Sequence, residues 1–175
     1  MITQLLSRSP GKAAAARLYA AAAAQSRSPA LYRDMGVPDS IQGRYEMLTL
    51  HILLLIDRLN GASAEADDVR QNLFDAYVSN LDGALREMGV GDLAVPKRMR
   101  KLGEAFYGRA QGFDAAFGAL PDLAPLAELL KRTAFSETAD ADATALAHYV
   151  ASCRDALANS DLRAVIAGKP KWSHS

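Results

Sequence analysis

Apolar residues recur along this chain at spacings of three and four, and no segment alternates apolar and polar positions for long. The clearest stripe is Leu73, Tyr77, Leu81, Leu85 and Met88, widened by Phe74 and Val78. Side chains at that spacing share one face of an α-helix. A second stripe joins Met99, Leu102, Phe106, Ala110, Phe113 and Phe117, and a third joins Leu146, Tyr149, Val150, Cys153 and Leu157. Strand signals are missing, since no Asn-Gly or Asp-Gly turn separates β-rich runs.

Capping residues divide the pattern into elements. A first helix is predicted over 12–26, and a short second one follows Ser28-Pro29 and ends near Met35-Gly36. Asp39 or Ser40 caps a third, which stops at Asn60-Gly61. The fourth runs from Ser63 to Met88-Gly89, with Glu65, Asp67 and Asp68 placed to suit the helix dipole. A loop over 89–96 leads to a fifth over 96–117. Pro121 and Pro125 open a sixth that reaches Phe135, a seventh covers 140–159, and a last turn at 161–167 precedes a frayed tail at 168–175. There is no internal repeat and no linker. The pattern predicts an all-α fold, a single-domain compact bundle of about six to eight helices over 1–175.

Composition narrows the functions open to such a bundle. Lysine plus arginine equals aspartate plus glutamate at 20 each, so no global field draws the chain to nucleic acid. The longest apolar run, residues 47–56, falls short of the roughly 18 needed to span a bilayer and reads as a core helix. Residues 1–25 carry Arg8, Lys12 and Arg17 with no acid, in an alanine-rich body that matches a transit peptide. Residues 13–24 nevertheless make a good helix in their own right, and that reading is preferred. The single cysteine, Cys153, allows no internal disulfide, and His51, His148 and His174 lack zinc-ligand spacing.

Catalytic machinery is not visible. No histidine lies beside a nucleophile elbow, no Gly-rich phosphate loop is present, and no Glu-x-x-His pair marks a di-iron bundle. No cofactor or metal is expected. The residues favour a protein that binds another macromolecule, with a small-ligand or lipid-binding bundle as the alternative. His51, inside Leu48-Thr-Leu-His-Ile-Leu, reads first as a satisfied core imidazole and second as a polar contact in a partner groove. Asp82 and Arg86 are four apart and form a surface pair. Asp75 and Asp82 share a side of the fourth helix, where they either face solvent or receive arginines from elsewhere, Arg44 and Arg109 being candidates. Gly108 and Gly112 open a smooth strip for a close helix, internal or a client's. Lys97, Arg98, Arg100 and Lys101 crowd a helix start, where the dipole disfavours cations. They form either a solvated patch or a contact for phosphate, RNA or an acidic surface. Without interleaved aromatics they do not suggest sequence-specific nucleic-acid reading.

Three segments together resemble the ubiquinol–cytochrome c chaperone family: residues 32–51, residues 73–92 and residues 95–109. The most specific stretch is Leu85-Arg-Glu-Met-Gly-Val-Gly-Asp92. The likeness covers roughly 20–117 and fades from about Leu120. It implies an all-helical, non-enzymatic chaperone that binds newly made cytochrome b and assists assembly of the respiratory bc1 complex. It also implies work in the bacterial cytoplasm, peripheral to the inner membrane, or alternatively in the mitochondrial matrix, with a small partner subunit left open. Joined to the residue reading, it suggests a client face of Tyr45, His51, Tyr77, Phe106, Tyr107, Gly108 and Gly112. Arg44, Asp75, Asp82, Arg86 and Arg109 would fix its rim. The cations from Lys97 to Lys101 would dock on a ribosome or an anionic membrane surface.

Overall fold

Residues 10–173 are described by a computed structural model. Eight helices follow in order: α1 (Pro10–Gln25), α2 (Pro29–Arg33), α3 (Ile41–Leu59), α4 (Ala64–Glu87), α5 (Val95–Gly118), α6 (Ala124–Arg132), α7 (Thr144–Ala158) and α8 (Leu162–Ile166). No strand occurs among the described residues. The all-α bundle predicted from periodicity is therefore the architecture observed.

Helix α3 is the axis. Met47, Leu50, Ile52, Leu53, Leu54, Leu55 and Leu59 are all buried, because α1, α4 and α7 surround it. A helix apolar on every side needs such a jacket. Its start is fixed by Ser40, whose hydroxyl accepts from the Gly43 amide at 3.0 Å. A Cβ on Gly43 would lie 1.9 Å from the Pro38 carbonyl oxygen, so only glycine lets the incoming chain fold this tightly over the first turn. Ser63 caps α4 in the same way, accepting from the Ala66 amide at 3.0 Å.

Helix α1 presents a nearly flat buried face of Ala14, Ala15, Leu18 and Ala22, and lies chiefly on α4. The described part of the alanine-rich N-terminus is thus a packed helix, while residues 1–9 lie outside the described residues. Helix α5 returns along α4, with the Phe74 and Phe106 rings 5.1 Å apart and Tyr77 and Phe106 5.3 Å apart. Both α5 and α7 then hold α6.

The last third departs from expectation at its boundaries. Helix α6 starts at Ala124, where Asp122 accepts from the Ala124 amide at 2.9 Å, so Pro121 belongs to the preceding turn. It stops at Arg132, and Phe135 is buried beyond it in a turn. Helix α7 starts at Thr144, not at residue 140; Asp142 accepts from the Thr144 amide at 2.9 Å and Asp140 is in the left-handed region at φ 54°. The tail is not frayed as far as residue 173. Trp172 packs edge-on to His51 with ring centroids 5.1 Å apart, and the Arg17 side chain donates to the Ala167 carbonyl at 3.0 Å. His174 lies outside the described residues.

The glycines of α5 divide by surroundings. A Cβ on Gly112 would meet Leu129 Cδ1 at 2.9 Å, so this glycine admits α6. Gly103 and Gly108 face open space. Replacing both of the latter by alanine should raise stability by about 0.5–1 kcal/mol each, while Gly112→Ala gains less or loses, as read by urea unfolding. Equal gains at all three positions would refute the packing role of Gly112.

Candidate partner-binding groove

An apolar cleft of about 530 Å³ lies where α1, α3, α4 and α5 diverge. That size falls within the range of ligand clefts. One wall is built from Tyr19 and Ala23 of α1 with Ile41, Tyr45 and Leu48 of α3. The other comes from the outer half of the α4 stripe, Leu81, Ala84, Leu85 and Met88, together with Leu102 of α5. Arg27, Gln42, Arg44 and Asn80 give it a polar rim. Two of its lining residues are strongly exposed, Ile41 at 74 % and Met88 at 60 %.

A polar cluster behind the groove braces its α3 wall. Arg109 of α5 grips Glu46 of α3 with a fork: Nε donates to Oε2 at 2.7 Å and Nη2 donates to Oε1. Glu46 is 3 % and Arg109 16 % exposed at their side chains, so both charges are largely out of water. Gln42 donates to Glu46 at 2.7 Å, and Arg109 also donates to the Ala105 carbonyl at 3.0 Å. The hydrogen bond to Glu46 pushes the Arg109 pKa further up, so this guanidinium keeps its charge. Its Cζ sits 5.6 Å from the Tyr45 ring centroid, a cation–π contact that steadies a groove residue. Below it, the Tyr77 hydroxyl is 2.8 Å from Thr49 Oγ1, and burial pushes the phenol pKa well up. The buried Tyr45 hydroxyl faces the Tyr77 hydroxyl.

Several residues assigned to a client face by sequence lie elsewhere. Of that face, Tyr45 lines the groove, as does Arg44 of its rim. His51, Tyr77 and Phe106 are buried in the core, while Tyr107 is exposed on α5. They do not make one surface, because the sides of α3 and α4 that carry them are turned inward. His51 matches its core reading. Its Nδ1 is 2.7 Å from the Met47 carbonyl oxygen and so carries the proton, and its Nε2 accepts from the Tyr149 hydroxyl at 2.8 Å.

The expected arginine pairings with Asp75 and Asp82 also need correction. Arg44 donates to Asp39 at 2.6 Å, and Arg109 is committed to Glu46. Asp75 accepts from Gln71 at 3.0 Å, one turn away. Asp82 does pair with Arg86, at 2.7 Å, and Arg86 reaches Asp92 as well. The basic segment is solvent-facing: Lys97, Arg98, Arg100 and Lys101 are all exposed. Arg100 approaches Glu104 at 3.9 Å, and the other three form no ion pair with a described residue.

Sequence reasoning missed most of the groove. The stripe of Leu81, Leu85 and Met88 shows an apolar helix face without saying what covers it, and Ile41, Leu48, Tyr19 and Tyr32 carry no distinguishing pattern. A stripe running past the helix beneath it was the available signal.

Residues 33–172 match the family described as ubiquinol-cytochrome C chaperone. The chain belongs to that family. The match spans three of the four groove helices, α3, α4 and α5, and it extends through the C-terminal third, where the resemblance read from sequence fades. The chain is also similar to the crystal structure of the Cbp3 homolog from Brucella abortus. Identity is 36 %, the match covers 94 % of this chain and 91 % of that one, and the TM-score is 0.85. No curated protein matches it. As a member of this family the chain is a chaperone by fold and sequence. Among the described residues no helix is long and apolar enough to cross a membrane, and no cluster of three or more potential metal ligands occurs.

Proposed function

We propose that this protein is an assembly chaperone of the respiratory bc1 complex, and that it shelters an apolar segment of newly made cytochrome b in the groove. Family membership supports the general role, and the open apolar groove is the observation that carries the mode of action. A segment destined for a bilayer must hide its side chains until it inserts, since each buried Leu-sized side chain is worth about 1.5–3 kcal/mol. A groove of leucines offers that cover. Met88 in its lining adds an unbranched, adaptable thioether suited to irregular side chains. The cleft is partly open to solvent and Ile41 and Met88 in its lining are exposed, which leaves room for a segment longer than the cleft. That shape favours a chain segment over the small ligand of the alternative reading, which calls for a closed cavity. On this reading the chaperone works beside the inner membrane of a bacterium, on its cytoplasmic side.

Deleting the gene should lower cytochrome b and assembled bc1 complex while leaving a second respiratory complex unchanged. Complementation with Leu81→Glu/Leu85→Glu should fail, although the parent gene succeeds, because two carboxylates in the groove repel an apolar client. Immunoblots of cytochrome b and native gels of the complexes read both results. Normal bc1 in the deletion strain would sink the client assignment. Full rescue by the groove variant would sink the groove.

A further inference from the structure

The connection between α4 and α5 is an ordered tip that displays apolar side chains beside a block of cations. Leu93 at its end is 99 % exposed, and Met88 at its start is 60 % exposed. Neither exposure comes from a loose loop. Gly89 closes α4 at φ 81°, the Val90 amide donates to the Leu85 carbonyl at 3.0 Å, and the Ala94 amide donates to the Gly91 carbonyl at 2.8 Å. Val95 is buried at the base of the tip, and Arg86 clamps Asp92 across it. The backbone therefore holds a leucine out into solvent, against the hydrophobic effect.

Immediately after it, Lys97, Arg98, Arg100 and Lys101 stand on the first two turns of α5, with no acid between 95 and 103. The helix starts at Val95 with no side-chain cap, so the positive end of its dipole adds to their field. That arrangement disfavours the folded state unless an anion lies outside. The nearby acids neutralise it only in part: Asp92 is held by Arg86, Glu87 makes no ion pair with a described residue, and Glu104 pairs with Arg100 at 3.9 Å, which leaves Lys97, Arg98 and Lys101.

We infer that this tip docks the protein on an anionic phospholipid surface, with Leu93 and Met88 entering the acyl boundary while the four cations of α5 contact headgroup phosphates. A phosphate backbone of RNA would satisfy the cations but leave Leu93 in water, and the segment holds no aromatic for base stacking. A lipid interface satisfies both halves at once. Because Met88 also lines the groove, docking by this tip brings that part of the groove to the bilayer. The inference stands on the tip alone and does not depend on which client the groove holds.

Flotation of the full chain with vesicles tests it, comparing phosphatidylcholine alone with an equal mixture of phosphatidylcholine and phosphatidylglycerol. The protein should float with the mixed vesicles and stay behind with the neutral ones. Each cation removed should weaken binding about fivefold, so the fourfold Lys97→Ala, Arg98→Ala, Arg100→Ala, Lys101→Ala variant should no longer float. Leu93→Ser should weaken binding by about tenfold or more. All these side chains are exposed, so thermal unfolding midpoints should stay near the parent's and exclude misfolding as the cause. A polarity-sensitive dye on Leu93→Cys, with Cys153 buried and protected, should shift to the blue on mixed vesicles only. Equal flotation with neutral vesicles, undiminished flotation of the fourfold variant, or no flotation at all overturns the inference. In the last case, ribosome binding lost in the fourfold variant would assign the cations to RNA instead.

Discussion

Arg109→Ala is expected to destabilise the fold by about 3–5 kcal/mol, a large share of what a domain of this size commands. The substitution removes both arms of the fork on Glu46 and leaves a carboxylate 3 % exposed, with Gln42 as its one remaining side-chain donor. A lone Gln amide at 2.7 Å does not replace a guanidinium that met both oxygens. The penalty is that of a stranded charge, and it should therefore disappear when the charge goes too. Glu46→Leu combined with Arg109→Met should recover most of the loss, since an apolar pair of similar volume needs no ionic partner. Arg109→Lys should fall between, because an ammonium reaches one oxygen and cannot form the fork. Urea midpoints followed by circular dichroism measure all four proteins. An Arg109→Ala variant within about 1 kcal/mol of the parent would mean that Glu46 reaches water or is protonated at little cost, contrary to its burial.

The same pair connects stability to the groove. Arg109 lies against the Tyr45 ring, and Tyr45 lines the groove wall. Losing the guanidinium should loosen that wall as well as the bundle. The double apolar variant then separates the two effects: it restores packing but not the cation over the ring. If client capture recovers together with stability, Arg109 acts only through the fold. If capture stays impaired, the placement of Tyr45 matters in itself.

The first five helices were legible because their signals are local. Periodicity in the α4 stripe, Ser40 and Ser63 as caps, and Gly61 and Gly89 as stops all act within a turn or two of where they sit. The ion pair Asp82–Arg86 was legible for the same reason, both residues being on one helix. The pair that matters most, Arg109 with Glu46, is 63 residues apart and depends on α5 crossing α3. Nothing in the register of either helix announces it. The groove failed to show for a related reason. Leu73 and Tyr77 belong to the same stripe as Leu81, Leu85 and Met88, yet α1, α3 and α5 cover only the first part. Amphipathicity says which side of a helix is apolar and not how far along it a neighbour reaches. The placing of Tyr77 on a client face, and the second reading of His51, are the mirror image: a polar tip on an apolar face suggests a partner contact, whereas internal partners satisfy both. In the tail, Trp172 carried no periodicity at all, and only the packing against His51 shows that it belongs to the core's edge.

That buried histidine makes acidification the second large lever on stability. Burial pushes the His51 pKa down to about 4, from an ordinary value of 6.5, although its hydrogen bond to the Met47 carbonyl works the other way. The folded state holds the ring neutral, with Nδ1 donating to Met47 and Nε2 accepting from Tyr149. The unfolded chain lets it take a proton below pH 6.5. As the pH falls from 6.5 toward 4, the unfolded state binds more protons than the folded one, so stability drops, by about 3 kcal/mol in all. Asp34, Asp39 and Asp142 are held below the ordinary carboxyl value of 3.8 and lose their contribution only below it. The Tyr149 phenol and Cys153 thiol beside the ring are pushed up by burial and stay protonated throughout. Protonation at Nε2 would also turn that nitrogen into a donor, so the Tyr149 hydroxyl, which accepts from Gln25 at 2.9 Å, would have to turn its own proton away from the ring. His51→Gln, which cannot titrate, should be less stable near neutrality but should show a much flatter dependence on pH between 6.5 and 4. If the two proteins lose stability in parallel over that range, the proton uptake belongs to other groups and the histidine is charged, or accessible, in the folded state.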